Sequence, residues 1–282
     1  MKHRIGLLAD VHGNSSALKA VVEDAFKEGV TEYWFLGDLI MPGPGTNDVF
    51  ELLDRIQVNV YVKGNWEDCF LDVLNKEIDF ENATDIYISR LVQYQCENLR
   101  DSYINQIHSL PVHQTKKIND LSISISHNLP NQNYGGDLWP TNEQENFDRL
   151  FNEDYDIAIY AHTHQQLLRY SSNGQLIINP GSIGQPFYKW EKLRNDRRAQ
   201  YAILTIDDVG MAEVSFKKVS YDIEGELKNA RVNKLPYIDL YHELLKTGKT
   251  NTHNIELLQK LNEESDYKEE IIHFFEKNYW KT

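Results

Sequence analysis

Five short apolar segments in this 282-residue chain are each followed, within three residues, by aspartate, asparagine or histidine. The segments, with the polar residues that follow them, are 5–9 before Asp10 and His12, 33–36 before Asp38, 58–62 before Asn65, 121–126 before His127, and 157–160 before His162 and His164. Short apolar runs of this kind are typical of strands buried in a sheet. Because ligands of open α/β sheets bind just beyond the carboxyl ends of strands, the pattern predicts that these polar side chains meet in one crevice.

The rest of the pattern predicts an α/β fold in which two sheets pack face to face with helices outside. The first strand is followed by a helix with capping candidates at 14–16 and a terminating Gly29, and a second helix covers 47–56. Residues from about 66 to 110 are polar with helical spacing, which indicates a helical insertion over the sheet edge. Alternating apolar residues predict three strand pairs, which cover 113–127, 167–179 and 200–219.

Composition separates a first domain, residues 1–220, from a charged helical C-terminal extension over residues 221–282. The formal net charge of −14 argues against a nucleic acid polymer as partner, because such binding needs a basic surface. No stretch approaches the roughly 18 consecutive apolar residues of a membrane span, so we expect no membrane partner. Cys69 and Cys96 lie outside any CxxC pair, which argues against disulfides and thiolate metal sites and favours a cytoplasmic location.

The residue types at the strand ends favour a transition-metal site. Asp10 and His12 are two residues apart, so an extended backbone would place both on one face. The same spacing separates His162 and His164. Carboxylate oxygens and imidazole nitrogens suit Mn, Fe or Zn rather than calcium, and Asn65 adds a weak neutral ligand. We interpret the other six histidines as structural or solvent-facing; they are His3, His108, His113, His242, His253 and His273.

The series DxH, GD, GN, H and HxH, in this order, resembles the calcineurin-like metallophosphoesterase superfamily over about residues 1–220. Asn14 in the sequence DVHGN, the NPGS segment at 179–182 and the RAQY segment at 198–201 resemble its bacterial branch of small phosphodiesterases. The resemblance implies a four-layer αββα sandwich of two mixed β-sheets with flanking helices, plus the helical extension. It also implies a pair of divalent or mixed-valence transition metal ions, with Mn or Fe favoured and Zn as the alternative.

Carried over by position, the resemblance implies two metal ions that share Asp38. The ligands of the first ion are Asp10, His12, Asp38 and His164. The ligands of the second ion are Asp38, Asn65, His127 and His162. Asp38 and Asn65 are also the predicted catalytic residues, and a hydroxide that bridges the ions is implied to attack phosphorus in line with the leaving oxygen.

The chain departs from the superfamily pattern at Trp66. In many relatives the asparagine of the third motif precedes a histidine that helps the leaving group depart, whereas here Trp66 and Glu67 follow Asn65. We therefore expect substrates whose leaving groups are stable anions, such as nucleotides, because they need less help from a general acid. Trp66 itself is interpreted either as a packing residue or as part of the substrate pocket.

Five residues form the predicted substrate-binding set: Asn14, Trp66, Tyr188, Arg197 and Arg198. The last three lie in the basic, aromatic segment 187–198, where arginine would pair with phosphate and a ring would stack on a base, unless the segment is a solvated loop. Tyr134 and Trp139 are further candidates.

The GNWE variant and the helical tail resemble a bacterial group that includes asymmetric diadenosine tetraphosphate hydrolases. This resemblance implies a small phosphorylated nucleotide substrate and release of ATP and AMP. One alternative is a phosphodiesterase for cyclic or other nucleotide diesters. The other is a non-catalytic protein-interaction scaffold, because a retromer subunit of the same fold acts in that way.

Overall fold

The computed structural model describes residues 2–151 and 153–277, which form an α/β fold with two mixed five-stranded sheets. The strands in chain order are β1 (His3–Leu8), β2 (Glu32–Phe35), β3 (Val60–Tyr61), β4 (His113–Ile118), β5 (Leu121–Ser126), β6 (Ile157–Ile159), β7 (Gln166–Tyr170), β8 (Leu176–Pro180), β9 (Ala199–Ile206) and β10 (Ala212–Val219). The first sheet has the order β10-β9-β1-β2-β3, and the second has the order β4-β5-β6-β8-β7. In the first sheet β1, β2 and β3 are parallel, whereas β9 is antiparallel to both of its neighbours.

Nine of the ten helices within the described residues lie in segments that helical spacing predicts, and the short α6 was not predicted. They are α1 (Ser15–Lys27), α2 (Asn47–Arg55), α3 (Asn65–Leu74), α4 (Ala83–Asn98), α5 (Asp101–Ser109), α6 (Gln144–Asp148), α7 (Ile223–Val232), α8 (Ile238–Thr247), α9 (Ile255–Glu264) and α10 (Tyr267–Glu276). Asn14 begins α1, and its side-chain oxygen accepts the Ala17 N–H at 3.0 Å, which satisfies one of the free donors of the first turn. None of the helices within the described residues is both long and apolar enough to cross a bilayer.

The predicted sandwich is confirmed, because the apolar residues of both sheets meet in a shared core. Ile5 and Leu7 of β1 pack there with Ile123 of β5, whereas Leu8 faces the helices on the other side, as the two-residue period of a strand requires. Full burial of such a side chain contributes about 1.5–3 kcal/mol. The outer face of the second sheet is covered thinly, by the five-residue α6 and its flanking loops, with Phe147 as a buried anchor.

The helical insertion and the C-terminal helices pack against each other, and we call them together the helical cap (65–109 and 223–276). Arg90 of α4 forms a 2.9 Å ion pair with Glu270 of α10, and the Asn262 side chain donates to the Ala83 carbonyl at 3.1 Å. Within the predicted C-terminal extension, α9 and α10 are separated at Asp266, which adopts a left-handed backbone (φ 53°). The predicted extension also includes residues 278–282, which lie outside the described residues.

The C-terminal extension is attached to the first domain as well as to the insertion. The buried Glu226 of α7 accepts the Ser16 N–H at 3.1 Å, and the Tyr221 hydroxyl accepts a hydrogen bond from Asn14 at the same distance. The proposed domain boundary at residue 220 stays a prediction.

Candidate metal centre and its pocket

The loops that follow β1 and β2 continue the pairing of these strands beyond their ends. Asp10 N–H donates to the Gly37 carbonyl at 3.0 Å, and His12 N–H donates to the Asp38 carbonyl at 2.9 Å. A Cβ atom at Gly64 would collide with the Asp38 carboxylate, so only glycine allows the loop after β3 to come this close. These contacts hold Asp10, His12 and Asp38 side by side at the carboxyl edge of the sheet.

Five of the candidate ligands adopt a left-handed backbone. They are Asp10 (φ 54°), His12 (φ 51°), Asp38 (φ 58°), His162 (φ 63°) and His164 (φ 57°). The expectation that the DxH and HxH pairs lie on an extended backbone is therefore wrong; sharp turns direct these side chains inward instead. A left-handed residue other than glycine costs roughly 1–2 kcal/mol, and such strain is concentrated at functional sites.

The candidate ligand atoms form two groups that share Asp38. One group contains Asp10, His12, Asp38 and His164, and the other contains Asp38, His127 and His162; within each group the ligand atoms lie within 4.8 Å of one another. The Asn65 side-chain oxygen joins the second group, at 2.8 Å from His162 Nδ1 and 3.2 Å from His127 Nε2. The structure thus brings together all seven side chains in the two groups that the resemblance implies. That they bind metal stays a prediction.

Each of the four histidines uses one ring nitrogen for a backbone carbonyl and turns the other toward the centre. His162 donates from Nε2 to the Gly135 carbonyl at 3.0 Å, which leaves Nδ1 facing inward. The other three donate from Nδ1, which leaves Nε2 facing inward; the bonds are His12 to Met41 O (2.8 Å), His127 to Leu36 O (2.6 Å) and His164 to Gln185 O (2.8 Å). Bonds of this kind hold the tautomer and the orientation of a metal-binding imidazole.

Two features of the centre are unfavourable unless a cation lies there. Both carboxylate oxygens of Asp10 are buried, and neither accepts a hydrogen bond of normal length and angle from a described residue. The inward nitrogens of His12 and His164 lie 3.1 Å apart, although the Nδ1 atoms of both rings carry the protons. A bound cation would pair with these unsatisfied lone pairs. The oxygen and nitrogen donor set fits Mn, Fe or Zn.

Burial and charge set the protonation of the histidines. Burial lowers the pKa of His12, and burial together with the charge on His127 lowers the pKa of His162 to about 4. Burial and His12 also hold the pKa of His164 well below its ordinary value. These three imidazoles are therefore neutral at neutral pH, the form that binds metal. Although burial opposes both charges, the 3.3 Å contact between His127 and Asp38 raises the pKa of the imidazole and lowers that of the carboxyl.

Glu67 holds the loop that carries Asp38. Its buried carboxylate accepts the backbone N–H groups of Asp38 at 2.8 Å, Leu39 at 2.7 Å and Gly64 at 2.8 Å. Burial and, secondly, the charge on Asp38 raise the pKa of Glu67 to about 7. No local pattern in the GNWE motif reveals this role of Glu67, because two of its three partners are backbone groups of the loop after β2.

A pocket of about 390 Å³ opens onto the candidate centre, and four of the candidate ligands line it. Trp66 also lines the pocket; its ring lies edge-on to His12 with the centroids 5.7 Å apart. Trp66 also packs against the hydrophobic core, so both interpretations of this residue have contacts behind them, and its substrate role stays a prediction. Trp139 and His253 line the pocket too. His253 was grouped with structural or solvent-facing histidines, and no local pattern marks it because it lies far along the chain from every candidate ligand.

Two of the predicted substrate-binding residues bond to the protein itself. Asn14 is buried, caps α1 and donates to the Tyr221 hydroxyl at 3.1 Å. The Tyr188 hydroxyl accepts hydrogen bonds from Gln200 and Lys218, both at 2.8 Å. Neither residue is among the described residues that line the pocket, so a substrate role for them stays a prediction without a supporting contact.

The two predicted arginines also have partners within the described chain. Arg197 lies against Gly248, at the end of α8, and donates to the Pro186 carbonyl at 3.0 Å. Arg198 forms two bonds to the Asp196 carboxylate, at 2.8 and 2.9 Å. Among the described residues neither arginine lines the pocket, and a phosphate-binding role for them stays a prediction.

A sandwich of two mixed sheets, with paired Asp, Asn and His groups at its strand ends, is the architecture of a metallophosphoesterase. Residues 3–209 match the calcineurin-like phosphoesterase superfamily domain, and the chain belongs to this superfamily. An uncharacterized protein of Methanocaldococcus jannaschii is 25% identical over 252 residues, which cover 84% of this chain and 95% of that protein.

Two solved structures support the fold. A hypothetical protein of Pyrococcus horikoshii has a TM-score of 0.69 at 20% identity and covers 88% of this chain and 99% of its own. A metallophosphoesterase from Sphaerobacter thermophilus has a TM-score of 0.61 at 24% identity and covers 87% of this chain and 100% of its own. At these identities the likeness shows the fold alone.

Proposed function

We propose that this protein is a dinuclear metal-dependent phosphohydrolase that cleaves phosphodiester or phosphoanhydride bonds of small nucleotides. The asymmetric hydrolysis of diadenosine tetraphosphate to ATP and AMP is the specific activity that we propose. The observation that carries the proposal is the pair of ligand groups joined at Asp38, next to an open pocket. Because a net charge of −14 repels anions, a phosphorylated substrate needs a strong local positive field, which bound cations supply.

The residues that would hold the two cations are Asp10, His12, Asp38, Asn65, His127, His162 and His164. A cation pair there would activate water as a nucleophile and neutralise the charge that develops on the phosphoryl oxygens. The chain itself contributes orientation. The backbone carbonyls hold each imidazole in one tautomer, and Glu67 holds the Asp38 loop through three hydrogen bonds. Such preorganisation avoids a cost of rearrangement during the reaction.

A second cavity, of about 260 Å³, supports a nucleotide as the substrate class. Trp139 lines both this cavity and the pocket of the centre, and Phe187 and Lys189 also line the second cavity. The rings of Trp139 and Phe187 lie 5.6 Å apart, and the Phe187 N–H donates to the His164 carbonyl at 3.1 Å. Aromatic rings beside a lysine offer stacking for a base and a charge for a phosphate. The cavity lies next to the centre, as a dinucleoside polyphosphate requires.

A substrate comparison with manganese present tests the proposal. We expect turnover of diadenosine tetraphosphate, with ATP and AMP as products on anion-exchange chromatography, and turnover of aryl phosphodiesters. The Asp38→Asn variant is the negative control, because it removes the residue common to both ligand groups. Turnover of alkyl monoesters with no action on dinucleoside polyphosphates or aryl diesters would contradict the assignment. A folded wild type that holds no metal would instead favour the scaffold function.

A further inference from the structure

The C-terminal helices contribute to the pocket that opens onto the candidate centre. The connection between α8 and α9 carries Thr250, Thr252 and His253, and all three line the same pocket as Asn65 and Trp66. Part of the pocket wall therefore comes from a segment beyond the superfamily match, which ends at residue 209.

This connection is held in place by hydrogen bonds from both sides. Thr84 of α4 donates its hydroxyl to the Thr252 carbonyl at 3.1 Å, which ties the connection to the insertion. Asn251 is buried and donates to Glu243 of α8 at 2.7 Å. Its carbonyl accepts the N–H of Asn254, the N-cap of α9, at 2.9 Å. His253 lies between these anchored residues, so its position in the wall is determined by the packing of the helical cap.

The chemistry of the lining residues distinguishes His253 from its neighbours. Histidine is the residue that most often transfers protons to or from a reacting group. Among the described residues that line the pocket, His253 is the one histidine outside the candidate ligand groups. Cys69 also lines the pocket, but burial, aided by Asp38, raises the pKa of its thiol to about 12, which makes it a poor acid at neutral pH. The hydroxyl, amide and indole groups of the other lining residues are weaker acids still.

We propose that His253 contacts the departing part of the substrate and donates a proton to its leaving oxygen. The proposal rests on the proposed function. A water oxygen forms a bond to phosphorus, and the bond from phosphorus to the leaving oxygen breaks with its electron pair on that oxygen. His253 in its imidazolium form passes one ring N–H proton to the same oxygen, which leaves a neutral imidazole. The imidazole, which is exposed, regains a proton from solvent, and the proton lost by the attacking water also passes to solvent.

This role gives the enzyme a general acid although Trp66 occupies the position after Asn65. It therefore widens the substrate class from stable leaving anions to alcohols that leave poorly.

Two thymidine 5′-phosphate esters that differ only in the leaving group test the proposal. In the manganese-loaded enzyme, His253→Gln should slow hydrolysis of the phenyl ester by about 10²-fold or more, as loss of a general acid does. The p-nitrophenyl ester should be slowed by less than about 5-fold, because its leaving group departs as a stable anion. His273→Gln is the matched control: His273 is an exposed histidine of α10 and is not among the described lining residues.

A labelling experiment supplies a readout that does not depend on turnover. Thymidine 5′-phenylphosphonate carries a phenyl group at the leaving position that cannot be hydrolysed. It should slow carbethoxylation of His253 by diethyl pyrocarbonate in the manganese-loaded protein, whereas His273 should be labelled at the same rate with or without this analogue. Equal slowing of both esters by His253→Gln, no slowing of either, or labelling of His253 that the analogue does not change would overturn the proposal. If the wild type hydrolyses neither ester and leaves diadenosine tetraphosphate intact, the proposed function fails, and the labelling result still decides whether His253 contacts the leaving group.

Discussion

Replacement of Glu67 tests whether its carboxylate holds the loops of the metal centre. Glu67→Ala removes the acceptor of three buried N–H groups, those of Asp38, Leu39 and Gly64. A buried donor left without a partner costs about 1–3 kcal/mol, so three such donors predict a loss of about 3–9 kcal/mol in the free energy of unfolding. Water that enters the vacated space will recover part of this loss, and we expect a measured value of about 3 kcal/mol or more.

Glu67→Gln is the finer test because it keeps the shape of the side chain. One carboxylate oxygen accepts from both Asp38 and Gly64, and the other accepts from Leu39 alone. The amide oxygen can serve the first pair of donors, but the amide nitrogen then faces the Leu39 N–H. One lost acceptor predicts a cost of about 1–3 kcal/mol. Glu256→Gln, at an exposed position of α9, should stay within about 0.5 kcal/mol of the wild type.

The assay is urea unfolding of the chelator-treated protein, followed by circular dichroism. Metal must be removed first, because a ligand that binds only the folded state adds its own binding free energy to the stability. The expected order of destabilisation is Glu67→Ala, then Glu67→Gln, then Glu256→Gln. If Glu67→Ala costs no more than Glu256→Gln, the three hydrogen bonds do not support these loops and the reasoning is refuted.

Three further predictions concern other sites. Asp38→Asn should reduce bound metal from two equivalents to one or none, because Asp38 belongs to both ligand groups; two equivalents in elemental analysis after dialysis would exclude this arrangement. Burial raises the pKa of Glu226 above its ordinary 4.5, so the folded state holds the proton more tightly than the unfolded state does. The free energy of unfolding of the wild type should therefore fall as pH rises above 4.5. Glu226→Gln should show a smaller fall over the same pH range, and equal slopes in the two proteins would contradict the prediction. Tyr237→Phe removes the donor to the buried Asn262 and should cost about 1–3 kcal/mol in urea unfolding, and no change would show that another group replaces it.

Much of the fold could be predicted because its signals are local. Two-residue alternation marks the three strand pairs, and Asn14 marks the start of α1. The boundary between α9 and α10 carries no such signal, since neither glycine nor proline lies there and Asp266 makes the turn. The apolar run 58–62 yields only the two-residue β3, which pairs with β2 at Trp34 and Phe35.

By itself the sequence determined which side chains can meet, because each candidate ligand follows an apolar strand and parallel strands end at the same edge of a sheet. The tertiary structure alone decided how they meet. Left-handed turns direct the ligands inward, and distant carbonyls select which ring nitrogen faces the centre. The tertiary structure also decided which residues surround the candidate ligands. The bond from Thr84 to Thr252 joins residues 168 positions apart and helps to place His253 in the pocket wall. Such a contact depends on how whole helices pack, so it leaves no pattern in either local sequence.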